Sequence, residues 1–147
     1  MPEKKTLERA RRDKRQGKSA STQAGEFVRE EMEHIRRGKH GARSTKQAIA
    51  IGLSKARRSG VDLKAPKKGK ASARTRKQAD RDLKKGKTGE GRKKPSAKRS
   101  KAVRGALKRE GRSAASKKSL SKQAKTAARK RRQTGATISS ARRKKAA

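Results

Sequence analysis

The residues best placed to do chemistry in this sequence are its lysines and arginines, which can bind anions. They occur in runs, and the runs that we expect to bind are at 92–94, 98–99, 117–118, 129–132 and 142–145. From residue 61 to its end the chain carries 33 basic and 5 acidic side chains. Because each cation that contacts a nucleic-acid phosphate releases condensed counterions, such a surplus favours binding to nucleic acid whatever its base sequence.

The candidate nucleic-acid-binding residues are therefore basic side chains spread from residue 46 onward. They are Lys46, Lys55, Arg57, Arg58, Lys67, Lys68, Arg74, Arg76, Lys77, Lys84, Lys85, Arg92, Lys93, Lys94, Lys98, Arg99, Arg104, Lys108, Arg109, Lys117, Lys118, Lys122, Arg129, Lys130, Arg131, Arg132, Arg142, Arg143, Lys144 and Lys145. The region after residue 60 has no aromatic side chain on which a base could stack, and such rings are typical of single-strand and sequence-specific RNA binders. The nucleic acids that remain as candidate partners are duplex DNA and structured RNA contacted through its backbone.

Other patterns that could do chemistry are weaker. Gly86-Lys87-Thr88 resembles the end of a phosphate-binding loop, but Arg81 stands where the first glycine is needed and no apolar strand precedes it. His34 and His40, with Glu30 four residues before His34, are too few and too loosely placed to predict a metal site. We therefore expect no catalytic residue, metal, cofactor or small-molecule substrate, and we expect that the chain is not an enzyme.

The composition limits how much of the chain can fold. The chain has 147 residues, a formal net charge of +38, one aromatic residue and no cysteine. High net charge with few large apolar side chains is typical of disorder. There is no secretory signal pattern and no apolar run long enough to span a bilayer, so the sequence predicts a cytoplasmic protein with no membrane partner.

Apolar spacing predicts two helices near the N-terminus. Residues 22–37 should form the first, capped by Ser21 or Thr22, with Val28, Met32 and Ile35 on one face. Residues 45–58 should form the second, because Ser44 and Gln47 make a capping-box pattern. Joined by the loop 38–43, they make a helical hairpin over 21–60, whose apolar face offers a surface for a homodimer.

The flanking regions are predicted to be less ordered. Residues 1–20 read as a basic arm with a short helix at about 5–16, and Pro66 with the run 67–70 reads as a linker. Residues 61–147 read as a Lys/Arg/Ala-rich tail whose segments 73–85, 97–110 and 117–133 gain helix only when phosphates neutralise their charges. The predicted fold class is mainly α, a short N-terminal helical hairpin followed by a long, largely disordered basic tail.

The acidic residues of the first predicted helix raise a question of orientation. Glu26, Glu30, Glu31 and Glu33 are predicted to face solvent or a basic partner. A helix-turn-helix is an alternative reading of the hairpin, although the loop of six residues is longer than the usual turn of three or four.

Parts of the hairpin resemble a known family. Glu26-Phe27-Val28, Gly38-Lys39-His40-Gly41 and the stretch from Ser44 to Arg57 resemble a family of small, strongly basic bacterial proteins, a domain of unknown function often labelled DNA-binding. The resemblance implies a bacterial, cytoplasmic protein that binds DNA. The tail is similar to linker-histone tails in its Lys and Ala content, but it is richer in arginine and contains only Pro66 and Pro95.

The sequence thus predicts a nucleoid-associated, histone-like protein that binds double-stranded DNA without sequence preference. Two alternatives stay open. The same charges would suit an RNA- or ribosome-associated protein, and the hairpin could instead dock on a protein while the tail only tethers.

Overall fold

The computed structural model describes residues 2–89 and 96–144, and for 134–144 it describes the backbone alone. Within this part of the chain lie six α-helices and one short 3-10 turn. They are α1 (Lys4–Arg15), α2 (Ala20–Arg36), α3 (Thr45–Arg58), α4 (Ala73–Thr88), α5 (Ala97–Arg109), the 3-10 turn (Ser113–Ala115) and α6 (Lys117–Lys144). The two predicted helices of the hairpin are confirmed as α2 and α3, and the predicted short helix at 5–16 corresponds to α1.

Serine side chains begin most of these helices. The hydroxyl of Ser44 accepts a hydrogen bond from the Gln47 backbone N–H at 3.2 Å, as the sequence predicts. The start of α2 differs, because Ser19 rather than Ser21 or Thr22 is the N-cap and accepts from Thr22 N–H. Ser72, Ser96 and Ser116 accept in the same way at the starts of α4, α5 and α6. An N-cap hydroxyl satisfies a backbone donor that the helix itself leaves unpaired, so these serines set where each helix begins.

Helix α3 lies at the centre of the fold. It packs against α2 on one side and α4 on another, and it also contacts the start of α6, while α1 packs on α2. Where α2 and α3 cross, Gly52 lies so close to Val28 that a Cβ at position 52 would be 2.7 Å from the Val28 Cα. The absence of a side chain at Gly52 lets the two backbones approach.

Two apolar clusters hold these helices together. One contains Met32, Ile35, Ala42, Ala48, Ala114 and Ala115, with Val28, Ile49 and Leu120 at its edge. The other contains Ala10, Ala24, Phe27, Ala56 and Val61, with Leu7, Ala20, Leu53 and Leu63 at its edge. Both clusters use residues from outside 21–60, so the apolar faces of the hairpin are covered within the chain.

The prediction of a long disordered tail is wrong. Helices continue through α4, α5 and α6, and α4 packs on α3 while the segment after α5 packs on the loop between α2 and α3. In that loop, Gly41 N–H donates to the Leu107 carbonyl at 2.8 Å and Ala42 N–H donates to the Gly111 carbonyl at 3.1 Å. Alanines such as Ala79 and Ala115 are buried at these contacts. The region after residue 60 is therefore packed onto the fold by small side chains and backbone hydrogen bonds. The composition suggested that such packing would need large apolar residues.

The prediction that the α2 glutamates face solvent or a basic partner is also wrong in part. Glu30 and Glu31 are buried, and both lie within ion-pair distance of Lys55 on α3. Glu26 contacts Arg9 on α1, whereas Glu33 pairs with Arg29 on its own helix and with Arg37 directly after it. Glu26, Glu30 and Glu31 therefore link α2 to α1 and α3, and Glu33 stays at the surface of α2.

None of the described helices is both long enough and apolar enough to cross a lipid bilayer.

Candidate nucleic-acid interface

Most acidic side chains of the described residues form ion pairs with basic side chains of the fold. Glu3 shows the pattern, because His34 Nε2 at 2.8 Å and Lys39 Nζ at 2.9 Å hydrogen-bond its carboxylate and lower its pKa from 4.5 to about 2. Other ion pairs within 4.0 Å include Asp13 with Lys18, Glu26 with Arg9, Glu31 with Lys55, Asp62 with Lys87, Asp82 with Arg58 and Glu110 with Arg43. The positive surface that remains is concentrated where acidic residues are missing from the sequence.

Helix α5 is one such surface. It contains no acidic residue and none of its residues is buried. Its exposed cations are Lys98, Arg99, Lys101, Arg104, Lys108 and Arg109. The helix is held at its C-terminal end by the hydrogen bond from Gly41 to Leu107, and a Cβ at position 41 would overlap the Glu110 carbonyl. Among the described residues, close contacts anchor this end, and the unburied α5 presents cations around most of its circumference.

Helix α6 is the second such surface, and it also lacks acidic residues. Its inner side carries Leu120, which packs on the first apolar cluster, and the half-buried Gln123 and Thr126. Its outer side carries exposed cations at helical spacing, namely Lys118, Lys122, Lys125, Arg129 and Arg132. At 1.5 Å per residue, this row of cations extends over about 21 Å.

A groove of about 570 Å³ lies between the start of α3 and α6. Arg43 reaches it from the loop before α3, Lys46 from the first turn of α3, and Lys122 from α6. The remaining lining is Ser44, Thr45, Ser113, Ala114, Ser119, Gln123 and Thr126. Cations and the positive end of a helix dipole are groups that hold phosphate oxygens in proteins that bind the nucleic-acid backbone. The groove is therefore suited to a phosphate.

Three predicted binding residues have partners within the fold instead. Arg57 is 7% exposed, and its Nε donates to the Leu63 carbonyl at 3.0 Å. Burial lowers the pKa of the Arg57 guanidinium, while the negative charges of Asp82 and Asp80 oppose that shift. Lys55 and Arg58 bind the buried carboxylates of Glu31 and Asp82. Arg57 is therefore a buried structural residue, and Lys55 and Arg58 are ion-pair partners of buried carboxylates, although the Arg58 side chain is 54% exposed.

Most of the other predicted binding residues are exposed, one is half-buried, and some lie outside the described side chains. Arg76 is half-buried, with its Nε buried and without a hydrogen-bond partner, whereas Lys67, Lys68, Arg74, Lys77, Lys84 and Lys85 are exposed on α4 and the segment before it. Also exposed are Lys46, Lys98, Arg99, Arg104, Lys108, Arg109, Lys117, Lys118, Lys122, Arg129, Lys130, Arg131 and Arg132. Arg92, Lys93, Lys94 and Lys145 lie outside the described residues, and Arg142, Arg143 and Lys144 are described by their backbone alone.

Sequence reasoning missed three basic residues of these surfaces. Lys101 and Lys125 are exposed on α5 and α6, and Arg43 lines the groove. The helical phase set by the serine caps at Ser96 and Ser116 would have grouped the two lysines with their neighbours. Arg43 had no comparable signal, because the groove forms only when the chain brings α6 to the start of α3.

Two alternative motifs do not fit this arrangement. Gly86-Lys87-Thr88 lies at the end of α4 rather than between a strand and a helix, and Gly86 packs directly on the Arg57 carbonyl at the end of α3. Helix α3, which a helix-turn-helix would insert into a DNA groove, is surrounded by α2, α4 and the start of α6. The exposed cations of α5 and α6 are better placed to contact a duplex.

Comparisons with protein-family models, with curated proteins and with solved structures find no match to this chain. The resemblance to a family of basic bacterial proteins accordingly stays a prediction. Any function has to be inferred from the chain's own residues and their positions in the fold.

Proposed function

We propose that this chain binds double-stranded DNA without sequence preference, as a nucleoid-associated protein that neutralises phosphates and catalyses no reaction. One observation carries the proposal. Helices α5 and α6 present exposed lysines and arginines, and neither contains a single acidic residue. Elsewhere in the described chain most acidic side chains lie beside a basic one.

The shape of these surfaces supports contact with a backbone rather than with bases. No aromatic residue occurs after Phe27, so α5 and α6 offer no ring on which a base could stack. The cations are instead fixed along helices at regular intervals. Affinity would then come mainly from counterion release, which is indifferent to base sequence and falls steeply with salt.

A salt titration of binding to random-sequence duplex DNA tests the proposal. About ten phosphate contacts should give a slope of log affinity against log salt near −9. A slope shallower than about −3, or a large preference for one base sequence, would contradict the proposal. Competition with a structured RNA at fixed salt separates the partners, because displacement of DNA by equimolar RNA would favour the RNA- or ribosome-associated alternative.

Matched charge variants test where the interface lies. The first variant replaces six cations of α5 and α6 with Gln, namely Lys98, Arg99, Arg104, Lys118, Arg129 and Arg132. The control replaces six exposed cations of α1, namely Lys4, Lys5, Arg11, Arg12, Lys14 and Arg15. Both lose the same net charge, but only the first should reduce the salt slope, by about five. Equal losses in the two variants would show that net charge alone drives binding and that α5 and α6 form no special interface.

A further inference from the structure

We propose that Glu31, His34 and His40 form a binding site for a divalent transition-metal ion, with Zn²⁺ as the ion to test. One potential ligand atom from each residue lies within 4.8 Å of the other two. The site lies at the C-terminal half of α2 and in the loop that follows it. The proposal does not depend on whether the chain binds DNA.

The positions of the three residues follow from the helix and its loop. Glu31 and His34 are three residues apart on α2, so their side chains project from the same side of the helix. Gly38, with φ of 74°, ends the helix and turns the loop back, and His40 then faces Glu31 with its Nε2 3.2 Å from Glu31 Oε1. In a tetrahedral zinc site with bonds near 2.0–2.1 Å, ligand atoms lie about 3.3 Å apart. Small side-chain movements would complete this geometry.

The hydrogen bond on the far side of the His40 ring sets its tautomer. Nδ1 of His40 lies 3.1 Å from the Gly41 carbonyl oxygen. A carbonyl oxygen can only accept a hydrogen bond, so Nδ1 carries the proton and the neutral ring has a lone pair on Nε2. Metal-binding histidines in proteins commonly donate their second ring nitrogen in this way.

The buried carboxylate of Glu31 supplies the negative charge of the candidate metal site. The Glu31 side chain is 1% exposed, and its Oε1 is buried without a hydrogen-bond partner. Its other oxygen, Oε2, accepts from Lys55 Nζ at 2.5 Å, which holds the carboxylate in place and leaves Oε1 available. A buried oxygen without a partner is costly. A cation bound between Glu31 Oε1 and His40 Nε2 would remove that cost.

Neighbouring carboxylates complete the surroundings. Glu3 Oε1 lies 2.8 Å from His34 Nε2, and Glu30 Oε1, which is also buried without a hydrogen-bond partner, lies 3.9 Å from the same nitrogen. If His34 binds the ion through Nε2, its hydrogen bond to Glu3 is replaced, and either oxygen, or a water, could then occupy a fourth position around the ion. Imidazole nitrogens combined with a carboxylate oxygen suit zinc and its neighbours in the first transition row rather than Mg²⁺ or Ca²⁺.

A protonated His40 is the competing explanation, because an imidazolium would also be attracted to Glu31. In that case Nε2–H should donate a hydrogen bond to Glu31 Oε1. The contact of 3.2 Å between His40 Nε2 and Glu31 Oε1 fits both explanations. Zinc titration separates them, because an ion pair alone would bind no stoichiometric metal ion.

Zinc binding by the full chain, prepared without an affinity tag, tests the proposal. In competition with a chromophoric chelator at neutral pH, we expect one Zn²⁺ per chain. His40→Gln and Glu31→Gln should each weaken binding by about tenfold or more. Glu33→Gln is the matched control, since Glu33 lies on the same helix but pairs with Arg29 and Arg37 at the surface, and its affinity should not change. No stoichiometric binding, or equal binding by His40→Gln, would overturn the proposal.

A second measurement uses the unaltered chain, because a substitution at buried Glu31 can also unfold the protein. Addition of one equivalent of Co²⁺ should produce the visible absorption of a four- or five-coordinate ion, and Zn²⁺ should then displace it. The chain has only two histidines. Their imidazole proton resonances should both shift in NMR spectra when Zn²⁺ is added. Resonances that stay in place would overturn the proposal and leave the two histidines in ordinary ion pairs.

Discussion

The Arg58 guanidinium and the Asp82 carboxylate join the end of α3 to α4, with Nε donating to Oδ1 at 2.8 Å. Asp82 is 1% exposed, and it also accepts hydrogen bonds from Ser54 at 2.6 Å and from Gln78 at 3.1 Å. A carboxylate buried with three donors around it fixes the position of α4 on the fold. One of the few acidic residues after residue 60 is thus used to attach the region that the composition suggested would be disordered.

Asp82→Asn should therefore destabilise the chain by about 1–3 kcal/mol. The substitution keeps the side chain's shape, but it removes the charge that Arg58 binds and turns one acceptor into a donor that faces other donors. Urea unfolding followed by far-ultraviolet circular dichroism measures the change. Asp80→Asn is the control, because Asp80 is exposed on the same helix and its loss should change stability by less than about 0.5 kcal/mol. Equal effects at the two positions would show that Asp82 does not hold α4.

Two helical glycines should respond in opposite directions to alanine. Gly52→Ala places a Cβ 2.7 Å from Val28 Cα, so the crossing of α2 and α3 must widen, and overpacking of this kind costs about 1–3 kcal/mol. Gly25→Ala meets nothing within 4 Å on the exposed side of α2 and should stabilise the helix by about 0.5–1 kcal/mol. Thermal unfolding of the two variants gives the comparison. A stable Gly52→Ala protein would mean that the helices do not cross there.

The local features of the fold were accessible from sequence. The α3 boundaries follow from Ser44 and from apolar spacing, which act within a few residues of one another. The burial of Ala114 and Ala115 could not be predicted in the same way. They gain their contacts from residues such as Ile35 and Ala48, far away in sequence, and an alanine carries little information about burial.

For the binding surface, the sequence predicts an excess of basic residues but not which of them are exposed. Lys46 and Arg57 are both basic residues of α3, yet Lys46 lines an exposed groove and Arg57 is buried. Their difference depends on where α4, α6 and Leu63 lie, which no local pattern reports. The serines at 72, 96 and 116 were the overlooked local signal, because each marks the start of a helix in the region expected to be disordered.

The full chain should be mainly helical in dilute buffer before any nucleic acid is added. Interactions such as the hydrogen bonds from Gly41 and Ala42 to the segment after α5 involve no phosphate. Far-ultraviolet circular dichroism of the free protein checks this, and saturating duplex DNA should then add little helical signal. A mostly unfolded spectrum that becomes helical only with DNA would contradict the fold and restore coupled folding and binding.

Arg57 and Lys46 should separate stability from binding. Arg57→Met removes the donor to the carbonyl of the half-buried Leu63, so unfolding should become easier by about 1–3 kcal/mol. Below its melting temperature this variant should keep the salt slope of DNA binding, because the Arg57 side chain is buried away from phosphates.

Lys46→Gln should have the opposite effects, since Lys46 is exposed beside Arg43 and Lys122 in the groove. Its stability should change by less than about 0.5 kcal/mol and its salt slope should fall by about one. Unfolding curves and salt titrations, both measured on each of the two variants, test whether stability and DNA binding separate in this way. If Arg57→Met lost the salt dependence while still folded, the C-terminal end of α3 would contact the nucleic acid, and the groove at the start of α3 would not be where the phosphate binds.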